Sequence, residues 1–242
     1  MLDELLDGIK VKPNEMSAVL HATTVATNAV IERNGATTAL ITTRGFRDVL
    51  IIGRQKRYET YDLYVDKPVP LIPRSRIFEV KERVGANGEI ITALDFASVD
   101  KAIADALAAG AESIAVALLH AYANPSHEQA IAEHIQQIPV SLSSDISPKY
   151  REYERTNTTV VNAYIRPVVD SYLQRLQTAL SERGFQRELM IMQSNGGVVS
   201  PALARRYPVR ILESGPAAGV LMACQIGETL GINKILSFDM GG

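Results

Sequence analysis

The chain has 242 residues, 46% of them hydrophobic and 21% charged, which is enough apolar side chain for one or two packed domains and unlike a disordered or fibrous composition. A net charge of −2 gives no electrostatic reason to expect nucleic acid or an anionic membrane as partner, so any anion site must be local. The single cysteine, Cys224, permits no internal disulfide and fits a reducing cytoplasmic setting, and the longest apolar stretch, 114–119 with 121–123 beyond His120, is far short of a membrane span.

The acidic opening, residues 1–7, lacks the basic end and apolar core of a signal peptide and reads as the middle of an amphipathic helix. Residues 18–21 read as a strand. The Thr-rich turn after them leads into a short helix closed by Asn34-Gly35, and 37–43 is the next strand. Residues 58–96 read as irregular, with Pro68, Pro70 and Pro73 marking a connecting loop and Gly85-Ala86-Asn87-Gly88 the turn of a hairpin. Val99, Ile103 and Leu107 form one stripe of a helix over 98–109, and 113–119 is a continuous apolar strand. Ser126-x-x-Gln129 reads as a capping box opening a helix that carries Ile131, Ile135 and Ile138, followed by a strand at 140–143. That strand-helix-strand order predicts a parallel pair. A long helix is expected over 158–183, with Ile165, Val169, Tyr172, Leu176 and Leu180 inward, Gly184 beyond its end, and Pro167 implying a kink or restart. Residues 189–192 are a further buried strand running into Ser194-Asn195-Gly196-Gly197, and the chain holds no internal repeat.

The last thirty-odd residues carry the clearest chemistry. Val209-Arg210-Ile211-Leu212 reads as a strand, and Glu213-Ser214-Gly215-Pro216-Ala217-Ala218-Gly219 opens a helix that runs to about Leu230 and stops at Gly231. Pro216 suits the first turn, Ser214 could cap it, and the free N–H groups there form an anion site. Small residues that merely let the helix pack closely explain Ala217, Ala218 and Gly219 equally well. Cys224 is expected on a buried face with Val220 and Leu221. Lys234-Ile235-Leu236-Ser237-Phe238 then reads as a strand delivering Asp239 into Gly241-Gly242, where paired glycines bring backbone N–H groups close to a phosphate. The same Asp-Gly-Gly pattern is also an ordinary turn signal.

His21 with Thr23, Thr24, Thr27 and Asn28 is a dense polar group at a strand-to-helix junction, able to hold a carbonyl or phosphate oxygen, although capping uses the same residue types. Arg54 with Gln55 and Arg57, and Arg151 with Arg155, are candidate anion or carbonyl contacts, against the ordinary role of a solvated charge. Gln193, Ser194 and Asn195 lie at a strand exit, the ligand-facing end of an open α/β sheet; their plain alternative is a hydrogen-bonded turn with Gly196 left-handed.

ESGPAAGV followed by SFDMGG resembles the hydantoinase A/5-oxoprolinase family. The likeness continues in His21-Ala22-Thr23-Thr24-Val25-Ala26-Thr27-Asn28-Ala29, Thr43-Arg44-Gly45-Phe46-Arg47-Asp48, Gly53-Arg54-Gln55-Lys56-Arg57, the Tyr150 to Thr156 stretch, and Met192-Gln193-Ser194-Asn195-Gly196-Gly197. It implies an α/β, ribonuclease H-like, actin-type ATPase fold with an inserted α/β subdomain, the family's N-terminal region over 1–198 and the start of its ATPase domain over 199–242. The fold is expected to be partial, because the family's first phosphate hairpin, D-x-G-G-T-F-T-D, would precede Met1 and its C-terminal lobe would follow Gly242. Ala22 stands where the family usually has Gly.

The resemblance further implies an ATP- and Mg²⁺-dependent hydrolase that opens a small cyclic amide, hydantoin or 5-oxoproline in type, by phosphorylating the carbonyl oxygen. Its expected catalytic residues are Asp239, also the metal ligand, with Glu213 and His21. Nucleotide contacts would come from Gly215, Ala217, Gly241, Gly242, Thr23 and Thr24, and substrate contacts from Thr27, Asn28, Arg54, Arg155, Gln193 and Asn195. A hydantoinase B-type subunit or domain is the implied partner, and self-association through unpaired strand edges is a second expectation. Two alternatives stand: a subunit like the β subunit of acetone carboxylase, or a catalytically silent structural fragment.

Overall fold

The computed structural model describes residues 16–55, 59–62, 64, 66, 68–185 and 187–239. The expected opening helix, Lys56 and Arg57, and Gly241 and Gly242 lie outside these residues. In chain order the elements are β1 (Val19–His21), α1 (Val25–Ile31), β2 (Thr38–Thr43), α2 (Val49–Ile52), β3 (Ile77–Val80), β4 (Arg83–Val84), β5 (Ile90–Thr92), α3 (Phe96–Ala108), β6 (Ser113–Ala117) and α4 (Ser126–His134). There follow β7 (Val140–Leu142), α5 (Ser143–Ile146), α6 (Glu152–Glu182), β8 (Leu189–Met192), β9 (Val198–Val199), α7 (Pro201–Arg206) and α8 (Ser214–Leu230). The chain divides into a terminal unit, Met1–Glu32 with Val168–Gly242, and a central unit, Arg33–Pro167.

The central unit is an α/β layer structure. Its sheet has the order β3-β2-β6-β7 with every pair parallel. Every residue of β2 and β6 is buried, as a parallel sheet covered on both faces requires. Alternate residues serve opposite faces: Ile41, Ile114 and Val116 pack with Val99, Ile103 and Ile131 of α3 and α4, while Leu40, Ala115 and Ala117 meet Ile72, Val160 and Ala163. The β6-α4-β7 unit has the parallel pairing that the strand-helix-strand order predicts. β4 and β5 form the expected hairpin around Gly85 and Gly88.

Several local expectations change here. Residues 77–80, read as irregular after the prolines, form β3 and extend the sheet. Ser126 is the first residue of α4 rather than its cap, and Asn124 Oδ1 accepts its N–H instead, so no capping box forms. Leu107 is exposed on α3, whereas Val99 and Ile103 are buried. α6 begins at Glu152, six residues before the expected start, with Glu152 and Glu154 in the first turn where carboxylates favour the helix dipole, and Pro167 lies inside it.

In the terminal unit β8 is central, parallel to β1 and antiparallel to β9. The expected strand at 209–212 is instead a 3₁₀ turn over Pro208–Ile211, because Pro208 lacks the N–H a ladder needs and seeds a tight helical turn. α8 ends at Leu230 with Gly231 left-handed at φ 69°, as the sequence predicts. Cys224, Val220 and Leu221 are exposed on it, not buried. The strand expected at 234–238 does not form among the described residues; with no ladder partner its backbone gains nothing by extending, and Ile235 instead folds against Gly227. A Cβ on Gly227 would meet Ile235 Cδ1 at 1.8 Å, so a larger residue there would require the Ile235 side chain to shift.

Candidate functional site

The parallel pairing of β1 with β8, His21 opposite Ile191, sends two chain turns out of the same sheet end. One is the Thr23-Thr24 turn leading into α1; the other is Gln193-Ser194-Asn195-Gly196-Gly197. Ligands of α/β sheets collect at such carboxyl ends. The segment entering α8 joins the two. Ser194 Oγ donates toward the carbonyls of Arg210, at 2.9 Å, and Leu212, while Ser194 N–H also donates to Arg210 at 2.9 Å. Glu213 N–H donates to Thr27 Oγ1 at 2.9 Å. Ser214 Oγ, fully buried, accepts from Thr23 N–H at 3.3 Å and donates to Thr23 carbonyl at 3.1 Å. Ser214 therefore ties two turns together instead of capping its own helix.

Backbone strain marks the same place. Glu213 is left-handed at φ 58° and ψ 22°, a conformation that costs a side-chain-bearing residue about 1–2 kcal/mol and persists only where the surroundings impose it. Helix geometry leaves the N–H groups of Ser214 and Gly215 without intrahelical acceptors, and Pro216 has none to offer. A Cβ at Gly215 would lie 3.2 Å from Thr24 Cγ2, so the missing side chain lets this backbone approach Thr24 closely. Gly219 has nothing within 4 Å of its own Cβ position.

His21 is half-buried at the end of β1. Its Nε2 is 2.8 Å from the Tyr172 hydroxyl, and the two rings stack at 5.8 Å. Burial pushes the imidazole below the ordinary histidine value, which keeps the ring neutral near pH 7. Tyr172 itself had only read as an inward helix residue; no local pattern points from it to His21, 151 positions away. Asn28 is exposed, its side chain 3.5 Å from Thr24 Oγ1. Gly196 is left-handed at φ 83°, and Asn195 Oδ1 accepts from Gly197 N–H at 3.0 Å. Asp239 is exposed on the segment after α8. Thr23, Thr24, Thr27, Glu213, Gly215 and Ala217 thus gather around the α8 entrance, with Gln193 and Asn195 on the neighbouring turn.

Arg54 and Arg155 belong to the central unit and do different work there. Arg54 is exposed and pairs with Glu154, whose carboxyl lies below its ordinary value: desolvation raises it, but a backbone hydrogen bond and the Arg54 guanidinium together lower it further. Arg155 is only 2% exposed. It donates from Nε to Ser143 Oγ at 3.1 Å, from Nη1 to the Lys149 carbonyl at 3.1 Å and from Nη2 to the Leu118 carbonyl at 2.8 Å, with Tyr122 5.4 Å away. Nearby Glu128, fully buried, accepts from Leu118 N–H at 2.9 Å, Ser143 Oγ at 2.6 Å and Ser144 N–H at 2.8 Å. Arg155 thus braces the loops after β6 and β7, leaving its fork spent on protein oxygens. No group of three metal-ligating side chains occurs among the described residues, and no described helix is long and apolar enough to cross a membrane.

A family model described as the hydantoinase/oxoprolinase N-terminal region matches residues 1–139, and a second, described as hydantoinase/oxoprolinase, matches residues 155–242. The crystal structure of an ATP-dependent caprolactamase from Pseudomonas jessenii superposes over 100% of this chain and 36% of its own at TM-score 0.85 and 31% identity. A nucleotide-free structure of acetone carboxylase, described as part of ATP-dependent acetone carboxylation, matches at TM-score 0.81 and 30% identity over 93% of this chain and 34% of its own. The 5-oxoprolinase of Saccharomyces cerevisiae is 32% identical over 97% of this chain and 20% of its length. The chain spans between a fifth and about a third of the length of these relatives.

Proposed function

The chain belongs to the hydantoinase/oxoprolinase family, and on that footing we propose that it supplies part of the nucleotide and substrate site of an ATP-dependent enzyme that opens small cyclic amides. The observation carrying this reading is the pair of ties between the Thr turn and the α8 entrance, Thr23 to Ser214 and Thr27 to Glu213, which hold a helix N-terminus at a sheet's carboxyl end, the kind of place that suits an anion. The names of two relatives, caprolactamase and 5-oxoprolinase, support the amide substrate, and those named as subunits support a partner, for which a hydantoinase B-type subunit is the candidate. A split, actin-type ATPase architecture and a cytoplasmic setting complete the proposal.

The residues at the α8 entrance fit a phosphate, and Asp239 is the carboxylate proposed for Mg²⁺. Phosphate oxygens suit the Gly215 backbone, where the absence of a Cβ leaves room for close approach, with exposed Thr24 as its neighbour. Mg²⁺ keeps several waters and takes one or two carboxylates, so a single exposed Asp239 is a sufficient protein ligand; Gly241 and Gly242 would add backbone donors. Bound ATP supplies the phosphoryl group that makes an unreactive amide oxygen a leaving group. The protein's own part is orientation. Neutral His21, aligned by Tyr172, can hold or accept a proton at Nδ1 or Nε2, and the exposed Glu213 carboxylate is the group proposed to direct a water. Gln193 and Asn195 offer carboxamides to a lactam.

The test is ATP-dependent product formation by the full-length protein with its partner subunit, using hydantoin, 5-oxoproline and caprolactam beside acetone with bicarbonate. Lactam-stimulated release of ADP is the expected result. Asp239→Asn should lower it on the order of a hundredfold while the exposed control Glu188→Gln leaves it unchanged. Turnover with the ketone alone would favour the carboxylase reading, and no ATP use with any of them would favour a silent structural role.

A further inference from the structure

In the terminal unit a cleft of about 400 Å³ is lined by Gln193, Ser194, Asn195, Val209 and Arg210. Ser194 is spent on backbone carbonyls, yet Gln193 has no side-chain hydrogen bond among the described residues, and Asn195 uses only its Oδ1. Arg210 is the cleft's one charge. Its guanidinium makes no ion pair among the described residues and lies 4.6 Å from the centre of the Tyr207 ring. Arg206 takes up the same ring at 5.2 Å. A planar cation held against an aromatic face keeps its N–H edges free, and two parallel N–H donors match a carboxylate. The short 3₁₀ turn over Pro208–Ile211 and the Ser194 bonds to the Arg210 carbonyl anchor the backbone that carries the fork, and Arg210 lines the same cleft as the two carboxamides.

We propose that this cleft selects a small cyclic amide bearing a carboxylate, with Arg210 taking the carboxylate and the Gln193 and Asn195 carboxamides taking the ring amide. The assignment deepens the cyclic-amide reading above and rests on it for the ring alone; the anion half rests on Arg210 and Tyr207.

Binding is measured on the full chain without nucleotide, so that it is separate from turnover. Side-chain amide signals of Gln193 and Asn195 are followed by NMR while 5-oxoproline or 2-pyrrolidone, which differ only in the carboxylate, is added. 5-Oxoproline should saturate the shifts with a Kd at least about tenfold lower than 2-pyrrolidone, a difference of about 1.4 kcal/mol. Arg210→Met keeps an apolar stem beside Tyr207 and should erase that difference, and Arg210→Lys should restore part of it as a point charge without the fork. Equal affinity for the two compounds, a preference that survives Arg210→Met, or no shift with either would overturn the proposal. Turnover of neutral lactams with no carboxylate preference would sink this inference and leave the cyclic-amide reading standing, whereas carboxylate-selective binding without ATP turnover would do the reverse.

Discussion

Ser214 and Thr23 lie 191 residues apart and exchange two hydrogen bonds through one hydroxyl, which accepts from the Thr23 N–H and donates to the Thr23 carbonyl. A backbone pair satisfied by a single buried side chain loses both bonds when that side chain is cut back. Ser214→Ala should therefore destabilise the chain by about 1–3 kcal/mol, the cost of leaving buried polar groups unpaired. Urea denaturation reads this directly. A change below about 0.5 kcal/mol would mean that water replaces the hydroxyl and that the two turns are not held by it.

Arg155 separates a bracing role from a substrate-contact role. Its hydrogen bonds to Ser143 and Leu118 are buried in the central unit and that to Lys149 is partly so, so Arg155→Met should cost about 3 kcal/mol. The exposed pair of Arg54 with Glu154 contributes little, and Arg54→Met should cost less than about 1 kcal/mol. Equal small losses would return Arg155 to the substrate-contact candidates.

Much of this architecture is written locally. The buried runs of β2 and β6, the β6-α4-β7 unit, the hairpin at Gly85 and Gly88 and the stop of α8 at Gly231 follow from periodicity and turn chemistry. β3 was hidden because residues 77–80 follow three prolines and show no clean alternation; its partner β2, not its own pattern, makes it a strand. Apolar residues 235, 236 and 238 looked like a strand for the opposite reason: the pattern was present and, among the described residues, the ladder partner was not. At the site, the Thr turn, the Gln193 turn and the α8 entrance could each be picked out by residue type. Their joining could not, because Thr27–Glu213 and His21–Tyr172 are contacts across more than 150 positions that no local spacing encodes.

The His21 imidazole gives a pH dependence with a definite sign. In the unfolded chain it takes its proton near the ordinary value of 6.5, and in the folded chain burial delays protonation to lower pH. Between those two values the unfolded state binds more protons, so His21's contribution is fully present above pH 6.5 and is lost as pH falls through the folded value. Urea midpoints across that window should fall more steeply for the wild type than for His21→Gln. Parallel curves, or a His21 imidazole titrating at or above 6.5 by NMR, would show that the ring is not held neutral.

Glu213 combines a strained backbone with an exposed carboxylate, and two substitutions pull these apart. Glu213→Gly removes the left-handed penalty of about 1–2 kcal/mol but adds about 0.5–1 kcal/mol of backbone entropy, so the variant should be as stable as the wild type or up to about 1.5 kcal/mol more stable. Its N–H can still donate to Thr27, which keeps the turn in register. Glu213→Gln retains the shape and the strain and should change stability by less than about 0.5 kcal/mol, because the side chain is exposed and forms no cap. Activity should respond to both alike. If the carboxylate directs water toward an activated amide, each variant loses on the order of a hundredfold in ATP-dependent turnover of the full-length protein. Turnover kept by Gln and lost by Gly would show instead that the strained backbone geometry matters and the charge does not. Turnover kept by both would remove Glu213 from the chemistry and leave its left-handed turn as a consequence of the tight junction between Leu212 and Ser214.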